Sequence, residues 1–366
     1  MKKLVSLLLA GVMVLSLAAC GTSSSSSKPG ESKTEESKSQ DASSGEESKP
    51  ADASSIKVGM ITDTGGIHDN SFNQSSWEGL QKAETELGIT VNYLESKTDA
   101  DYSTNIETFV DEEYDLIICV GFMLASATRE AAEKYPDQKF AILDDSSCAD
   151  LDNVACLMFE QAQASYLVGV VAGMMTESNT CGFVIGSNTE VMNQFGYGYI
   201  AGILDTNPDA KVLQYNANAF GDAAVGKTAA VDMITKGADV VFHAAGGTGL
   251  GVIEACKEND VWAIGVDSDQ NHLAPNNVVT SAMKRVDNAS YKVAEDVLKG
   301  TFESGVQTFS LKDGGVDIAP TDTLLPDEVK TAVQEVKAKI LSGEIVVPED
   351  KASFEEKYGA DVYELD

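Results

Sequence analysis

Residues 61–73 read Ile-Thr-Asp-Thr-Gly-Gly-Ile-His-Asp-Asn-Ser-Phe-Asn and bring together several groups that could bind a small molecule. They follow an apolar run that predicts a strand and precede a helix-like run at 74–87. In open α/β sheets, small molecules bind in crevices at the carboxyl ends of strands. Asp63, Phe72 and Asn73 would offer a carboxylate, an aromatic ring and an amide to such a crevice. The alternatives are that Asp63 and Asn73 cap the helix and that Phe72 belongs to the core.

Similar groups follow other predicted strands. Phe220 lies in a polar loop after one strand, Asp267 ends another, and Lys284 comes just after a third. Asp144 and Asp145 end a further strand, and the spacing leaves open which of the two would face a ligand. In a two-lobed sheet protein, these strand ends could all face one cleft between the lobes.

The run Gly247-Thr-Gly249-Leu-Gly251 is similar in part to a dinucleotide-binding fingerprint, because it follows a strand and Asp267 ends the next one. The third fingerprint glycine, however, would fall at Val252. We therefore interpret these glycines, with the preceding Gly246-Gly247, as positions where backbone N–H groups approach a ligand closely. No cofactor is expected.

The sequence favours binding over catalysis. The three histidines, at positions 68, 243 and 272, are scattered and lack metal-ligand spacing, so no metal site is expected. No Ser or Cys nucleophile is placed beside any of them by the sequence. Cys119, Cys156 and Cys181 fall within apolar strand-like runs, where cysteine behaves as a small buried hydrophobe.

From residue 56 onward, short apolar strands alternate with amphipathic helical runs, and the alternation occurs in two successive series. Predicted strands lie at 57–62, 90–94, 116–120, 140–144 and 154–159, and then at 181–185, 211–215, 240–243, 262–266 and 278–282. Short Val/Ile/Leu-rich strands indicate parallel sheets buried on both faces. The pattern predicts a two-lobed α/β protein. Lobe 1 would span about 56–160, lobe 2 would span about 161–285, and each would take part of 286–366.

The run at 161–175 is apolar nearly all round and contains small residues at Ala164, Gly169, Ala172 and Gly173. It predicts a tightly packed helix near the junction of the lobes. Later helices are predicted at 291–298 and 331–341, the second introduced by Pro326. We expect the final segments to cap one or both lobes.

The amino terminus has the pattern of an export signal. Two lysines precede an apolar run at 4–17, and Leu17-Ala-Ala-Cys20 resembles a bacterial lipobox, which makes Cys20 the predicted lipidation site and 1–20 the signal peptide. Residues 21–55 are mostly Ser, Glu, Lys and Asp, and such a composition predicts a disordered tether. We therefore expect a binding domain at 56–366 that the N-terminal lipid holds at the extracytoplasmic face of the cell membrane.

The formal net charge of −32 argues against nucleic acid as a partner. Nucleic-acid binding depends on neutralising phosphates with Lys and Arg. The same charge argues against capture of anions by a general positive field.

Six ordered motifs together resemble those of the basic membrane protein family. They are Asp63-x-Gly-Gly, Asp69-x-Ser-Phe-Asn73, Trp77-x-Gly79, Ala245-Gly-Gly-Thr-Gly249, Ile264-Gly-Val-Asp-Ser-Asp-Gln270 and Thr280-Ser-x-x-Lys284. The similarity extends over the domain from Ile56 onward. This family consists of bacterial substrate-binding lipoproteins that include purine nucleoside receptors. It implies a type I periplasmic-binding-protein fold with two hinge-linked lobes, and delivery of a nucleoside to the permease of an ABC importer.

The resemblance also implies roles for single residues. Phe72 and Phe220 match aromatic residues that sandwich the base, and Asp63 and Asn73 match positions that address base edges. The positions that hold the ribose are matched by Asp145, Gly246, Asp267 and Lys284. An acidic pocket with one lysine favours nucleosides over nucleotides, since it repels phosphate. The alternatives are a binding protein for a sugar or a signalling molecule, a ligand sensor coupled to a membrane receptor, and an exported nucleoside hydrolase.

Overall fold

The computed structural model describes residues 55–365 of the 366-residue chain. The predicted signal peptide, the lipidation site Cys20 and nearly all of the predicted tether lie outside the described residues. Within this part of the chain, no helix combines the length and the apolar character needed to cross a bilayer.

Lobe 1 is built around a six-stranded sheet. Its strands are β1 (Lys57–Ile61), β2 (Thr90–Leu94), β3 (Leu116–Cys119), β4 (Lys139–Leu143), β5 (Val154–Phe159) and β11 (Gly305–Phe309). They follow the spatial order β11-β5-β4-β3-β1-β2, and every neighbouring pair is parallel. The associated helices are α1 (Phe72–Leu87), α2 (Ala100–Asp111), α3 (Ala125–Lys134) and α8 (Val286–Lys299). Strand β3 is buried along its whole length, as expected for a parallel sheet covered on both faces.

Lobe 2 repeats this architecture with one reversed strand. Its strands are β6 (Thr180–Ile185), β7 (Lys211–Asn216), β8 (Val240–Ala244), β9 (Trp262–Asp267), β10 (Val278–Lys284) and β12 (Val316–Ile318). Their spatial order is β12-β10-β9-β8-β6-β7, with only β12 antiparallel to its neighbour. The helices are α4 (Gln161–Met175), α5 (Glu190–Thr206), α6 (Ala223–Thr235), α7 (Thr248–Glu258), α9 (Asp327–Ser342) and α10 (Lys351–Tyr358).

The chain crosses between the two lobes three times: from β5 to α4, from β10 to α8, and from β11 to β12. At the first crossing, Glu160 N donates to Phe309 O at 2.9 Å, and the rings of Phe159 and Phe309 stack at 5.2 Å. At the second, Arg285 N donates to Gly315 O at 2.9 Å. The three crossings therefore run side by side and form the hinge.

The predicted tight packing of the helix at 161–175 is confirmed. A Cβ on Gly169 of α4 would lie 2.3 Å from Tyr199 O, and one on Gly202 of α5 would lie 2.2 Å from Tyr166 O. The backbones of α4 and α5 therefore touch directly, which requires glycine at both positions.

The first helix of lobe 1 packs just as closely on a helix from late in the chain. A Cβ on Gly79 of α1 would lie 2.1 Å from the Asp287 carbonyl oxygen of α8, and Ser76 and Ser290 share a 2.7 Å hydroxyl contact. Trp77 packs edge-on against Tyr93. Trp77-x-Gly79 is thus a packing motif that holds α8 in lobe 1.

All ten strands predicted from the sequence are present, with ends displaced by at most one or two residues. Two further strands, β11 and β12, were not predicted. The helix predicted at 331–341 is present as α9, which begins four residues earlier, directly after Pro326; α9 packs on α4, while α10 packs on α5. The five cysteines of the described range are free and buried.

Candidate functional site

A cleft lies between the lobes at the carboxyl ends of the parallel strands. Seven residues that the sequence predicts as ligand contacts line it, namely Asp63, Phe72, Asn73, Phe220, Gly246, Asp267 and Lys284. Their contact with a ligand stays a prediction. The eighth, Asp145, does not line the cleft.

One end of the cleft is a hydrogen-bonded network within lobe 1. Asp63 follows β1, and its Oδ1 accepts hydrogen bonds from Gly65 N and Asn73 Nδ2, both at 2.8 Å. Asn73 Oδ1 in turn accepts from Asp63 N at 3.2 Å. The network therefore holds the Asp63 carboxylate in one orientation.

Asp69 lies in the loop before α1 and supports this network by accepting hydrogen bonds at the start of the helix. Its carboxylate accepts from the backbone N–H groups of Ser71, Asn73 and Gln74 at 2.8–3.0 Å, and from Asn73 Nδ2 at 3.1 Å. Unpaired N–H groups at a helix N-terminus attract a carboxylate in this way. Asp69 thus does the capping that the sequence left open for Asp63 and Asn73.

The carboxyl groups at this end of the cleft resist ionisation. Burial raises the pKa of Asp63 to about 6, and the charges of Asp69 and Asp144 contribute to the rise. Burial also raises the pKa of Asp69, although its hydrogen bonds oppose the rise. Low dielectric surroundings disfavour the charged form of an acid.

Aromatic rings from both lobes line the cleft. Phe72 belongs to lobe 1 and Phe220 to lobe 2, and Phe122 packs edge-on against Phe220 with ring centroids 6.2 Å apart. A Cβ on Gly186 would lie 2.3 Å from the Phe220 ring, and one on Gly121 would lie 3.6 Å from the Phe72 ring. Both glycines therefore leave space that the rings need.

Elsewhere in the cleft lining, Lys284 carries the cation. Its side chain is 1% exposed, and its Nζ lies 2.5 Å from Asp144 Oδ2 of lobe 1. Phe72, Phe159 and Phe195 surround the ammonium, with ring centroids 5.1–5.3 Å from Nζ. Negative ring faces attract a desolvated cation. The ion pair and the rings together hold this charge between the lobes.

The two carboxylates after β4 differ in their position relative to the cleft. Asp144 lines the cleft, whereas the Asp145 carboxylate turns away and accepts hydrogen bonds from Ser147 N and Ser147 Oγ. The backbone of Asp144 is left-handed (φ 61°), so the strand direction ends at this residue and the next one leaves the cleft. Asp144 Oδ1 is buried and has no hydrogen-bond partner among residues 55–365. Burial raises the pKa of Asp144, and the Lys284 ammonium opposes part of that rise.

Direct bonds join the lobes beside Lys284. Ser71 Oγ of lobe 1 donates to Asp267 Oδ2 of lobe 2. The Asn70 carbonyl oxygen accepts from Ser268 Oγ at 3.2 Å and from Gln270 Nε2 at 3.0 Å. Burial raises the pKa of Asp267 to about 7, with Lys284 opposing the rise. The lobes are therefore in contact across the cleft, which is the closed arrangement.

The glycine-rich segment has a divided role. Gly246 lines the cleft with a left-handed backbone (φ 52°). A Cβ on Gly249 would overlap the His243 ring, and one on Gly251 would lie 1.8 Å from the carbonyl oxygen of Ala223, the first residue of α6. Gly249 and Gly251 thus serve packing around α7.

His243 lies behind the cleft wall. It is fully buried, its Nε2 lies 3.0 Å from Gln270 Oε1, and burial lowers its pKa to about 4. It is therefore neutral at physiological pH. Across residues 55–365 there is no group of three or more His, Cys, Asp or Glu side chains arranged to hold a metal ion.

Three apolar residues of the cleft lining, Phe122, Met192 and Phe195, were not predicted from the sequence. Phe122 follows β3 through Gly121, so the strand-end signal that identified Asp63 could have found it. Met192 and Phe195 project from the first turns of α5. No local signal marks them, because apolar residues of a helix are ordinarily core.

Comparison with known protein families and sequences identifies relatives of this chain. A family model described as "ABC transporter substrate-binding protein PnrA-like" matches residues 56–351. A Lactococcus lactis protein named ABC transporter nucleoside-binding protein BmpA is 38% identical, over 80% of this chain and 89% of that one. A Listeria innocua protein named CD4+ T-cell-stimulating antigen is 39% identical, over 91% and 94%. Basic membrane protein A1 of Borrelia garinii is 33% identical, over 82% and 90%.

Solved structures show the same architecture. An ABC transporter system solute-binding protein from Aeropyrum pernix K1 has a TM-score of 0.76 at 28% identity, covering 83% of this chain and 98% of that one. A second, from Conexibacter woesei, has a TM-score of 0.67 at 24% identity, covering 81% and 99%, and bears on the fold alone. The predicted type I periplasmic-binding-protein fold is confirmed.

Proposed function

Because the chain belongs to the Bmp family of PnrA-like ABC transporter substrate-binding proteins, we propose that its ligand is a nucleoside, with a purine base, held between the two lobes. The observation that carries this proposal is the pairing of aromatic walls with an acidic, lysine-containing end in one cleft. Phe72 and Phe220 provide flat apolar surfaces from opposite lobes. Stacking of a base on an aromatic ring contributes about 1–3 kcal/mol per base.

The opposite end suits a ribose. Asp144 Oδ1 is a buried acceptor without a partner in the described residues, and a sugar hydroxyl is a donor that would satisfy it. Asp267 offers a second carboxylate nearby, and Lys284 compensates the charge of both. Hydrogen bonds to ionised groups are about twice as strong as neutral ones. Asp144 takes the ribose role that the resemblance implied for Asp145.

The same charges discriminate against phosphorylated ligands. Four carboxyl groups line the cleft, namely those of Asp63, Asp69, Asp144 and Asp267, against the single cation Lys284. Placing like charges together in a buried site costs several kcal/mol. Nucleosides are therefore the favoured ligand class, and nucleotides should bind far more weakly.

In its cellular role, the protein would deliver the nucleoside to the permease of an ABC importer. The lipobox-like segment ending at Cys20 and the Ser/Glu-rich tether at 21–55 support anchoring of a binding domain, 56–366, on the extracytoplasmic face of the cell membrane. Ligand shifts the balance of open and closed forms by its preference for the closed one. The interlobe bonds around Asn70 and Ser71 stabilise that closed form.

Isothermal titration calorimetry of the purified protein tests this proposal with inosine, guanosine, cytidine, ribose and inosine 5′-monophosphate. We expect inosine or guanosine to bind, ribose alone not to bind, and the monophosphate to bind far more weakly than inosine. Binding of ribose without binding of any nucleoside would contradict the proposal. Release of free hypoxanthine on incubation with inosine would instead support the hydrolase.

A further inference from the structure

We call the end of the cleft formed by Asp63, Asp69 and Asn73 the base end. It contains one carboxylate oxygen, Asp63 Oδ2, that receives no hydrogen bond from residues 55–365. Asp63 Oδ1 already accepts two hydrogen bonds, from Gly65 N and Asn73 Nδ2. Among residues 55–365, no donor is bonded to Asp63 Oδ2. A Cβ on Gly121 would lie 3.2 Å from this Oδ2 and 3.6 Å from the Phe72 ring. The open oxygen therefore borders the space in front of Phe72, where the edge of a stacked base would lie.

The Asn73 amide has no N–H donor left to offer a base. Its Oδ1 accepts from Asp63 N, and its two Nδ2 hydrogens go to Asp63 Oδ1 and Asp69 Oδ2. A flipped amide would place Nδ2 against the Asp63 N–H and Oδ1 against both carboxylates, so its orientation is determined. Asn73 is thus a positioning residue for Asp63, and the Asp63 Oδ2 atom is left to meet the base.

We infer that the protonation state of Asp63 selects the class of base: the carboxylate takes bases whose edge donates an N–H, and the neutral acid takes bases whose edge presents a nitrogen acceptor. The inference rests on the proposed nucleoside function and narrows its substrate class. The ionised group has only lone pairs at Oδ2, whereas the protonated group can donate. The N1–H of a 6-oxopurine such as hypoxanthine matches the first state. The bare N1 of an unsubstituted purine matches the second.

The surroundings of Asp63 raise its pKa enough for mild pH changes to alter its protonation state. Asp69 faces it from the loop before α1, Asp144 from the end of β4, and Tyr102 from α2. Both carboxyl groups disfavour a further negative charge, and burial raises the pKa of Tyr102, which keeps it neutral. With its pKa near 6, Asp63 is mostly ionised at neutral pH and mostly protonated in mild acid. The expected preference is for 6-oxopurine nucleosides at neutral pH.

Inosine and purine riboside (nebularine) form a suitable pair of probes. They share the same ribose and ring shape and differ at position 6 and in whether N1 carries a hydrogen. Titration of Asp144 or Asp267 at the ribose end acts equally on both ligands. The ratio of their dissociation constants therefore isolates the base end. Adenosine is less suitable, because its exocyclic amine can also donate to a carboxylate.

The test is calorimetric titration of the purified protein with both nucleosides between about pH 5 and about pH 8, which brackets the titration of Asp63. We expect the nebularine-to-inosine ratio of dissociation constants to rise with pH, by at most about tenfold per pH unit, as for a single proton. A ratio that stays constant over this range would overturn the inference alone. Absence of binding by both nucleosides at every pH would overturn the proposed function as well.

The variant Asp63→Asn gives an independent test. Gly65 N and Asn73 Nδ2 both donate toward the present Oδ1 position, so the new amide must place its oxygen there and its NH₂ at the Oδ2 position. A permanent donor would then face the base. We expect preference to reverse toward nebularine by about tenfold or more, since an unpaired buried donor or acceptor is costly, and the ratio to lose its pH dependence.

Asp350→Asn is the matched control, because Asp350 caps α10 and does not line the cleft. It should leave the ratio and its pH dependence unchanged. An Asp63→Asn protein that still prefers inosine would overturn the inference. Should this variant not fold, the pH series on the unaltered protein still decides.

Discussion

The two ends of the cleft are built in different ways. At the end that we assign to the base, Asp63, Asp69 and Asn73 all belong to lobe 1, and their mutual hydrogen bonds do not involve lobe 2. At the end that we assign to the sugar, Lys284 pairs with Asp144 across the cleft. We therefore expect the first end to govern which ligand binds, and the second to govern closure around it.

Removing the cation at the sugar end should have the largest effect. Lys284→Met leaves Asp144 buried without its partner, and we expect a loss of about 3–5 kcal/mol in the free energy of unfolding. Nucleoside affinity should fall about thirtyfold or more, because truncating one member of a buried charge pair costs about 2–5 kcal/mol. Urea denaturation and calorimetry measure the two losses.

The pH dependence of this variant has a definite sign. Without the ammonium, the folded-state pKa of Asp144 rises further above its unfolded value, so stability is retained in acid and lost as pH rises through the folded pKa. The destabilisation should therefore be smaller in mild acid than at neutral pH. Lys337→Met is the control, since it breaks a partly exposed pair with Asp317 and should cost at most about 1 kcal/mol. Equal losses in both variants would contradict our account of the sugar end.

Removing an aromatic wall should come next. Phe72→Ala should weaken nucleoside binding by about 1–3 kcal/mol through lost stacking. Phe220→Ala should do the same, because the two rings come from opposite lobes. Phe354→Ala, which truncates a buried ring of α10, is a control that should lower thermal stability without a comparable loss of affinity. Full affinity in both cleft variants would place the base elsewhere.

Substituting the neighbouring residues Asp144 and Asp145 one at a time tests which of the two carboxylates contacts the ligand. Asp144→Asn should weaken nucleoside binding about tenfold, because it replaces an ionised acceptor for a ribose hydroxyl by a neutral one. Asp145→Asn should change affinity by less than about twofold, since its side-chain oxygen can still accept from Ser147 N. Both affinities can be measured by calorimetry at neutral pH. The opposite ranking would restore the assignment of Asp145.

The smallest effect should come from the interlobe bonds beside the site. Ser268→Ala removes one of two hydrogen bonds to the Asn70 carbonyl, while Gln270 Nε2 continues to donate. A hydrogen bond contributes about 0.5–1.5 kcal/mol net, so affinity should fall about threefold. The loss should appear as faster dissociation in stopped-flow measurements, because closure is what this bond stabilises. A change in base preference would instead show that the two ends are not independent.

The alternation of apolar strands and helical runs was sufficient to predict ten strands and the two-lobed α/β architecture. Burial on both faces makes parallel strands apolar throughout, and this pattern is legible locally. Strands β11 and β12 were not predicted because they lie outside the regular alternation of strands and helices: both follow α8, and no helix separates them. The sequence Gly-Val-Gln-Thr-Phe of β11 alternates between partly buried and exposed residues, and its pairing partner β5 lies far away in the chain.

For the site, residues directly after a predicted strand could be assigned to the cleft, because parallel strands end at one edge of a sheet. The choice between Asp144 and Asp145 could not be made in this way. It depends on the left-handed backbone at Asp144 and on the position of Lys284, which is 140 residues away in the chain. Likewise, only the folded structure shows that both N–H donors of the Asn73 amide bond to Asp63 and Asp69.

The order of residues thus determined which chemical groups end each strand, since that depends only on neighbours along the chain. The folded arrangement decided which of those groups remain available, because hydrogen bonds from distant segments use some of them and leave others open. Asn73 and Asp63 lie ten residues apart and both follow β1, yet only Asp63 has a side-chain oxygen that receives no hydrogen bond from residues 55–365. That distinction arises from satisfying buried polar atoms in three dimensions.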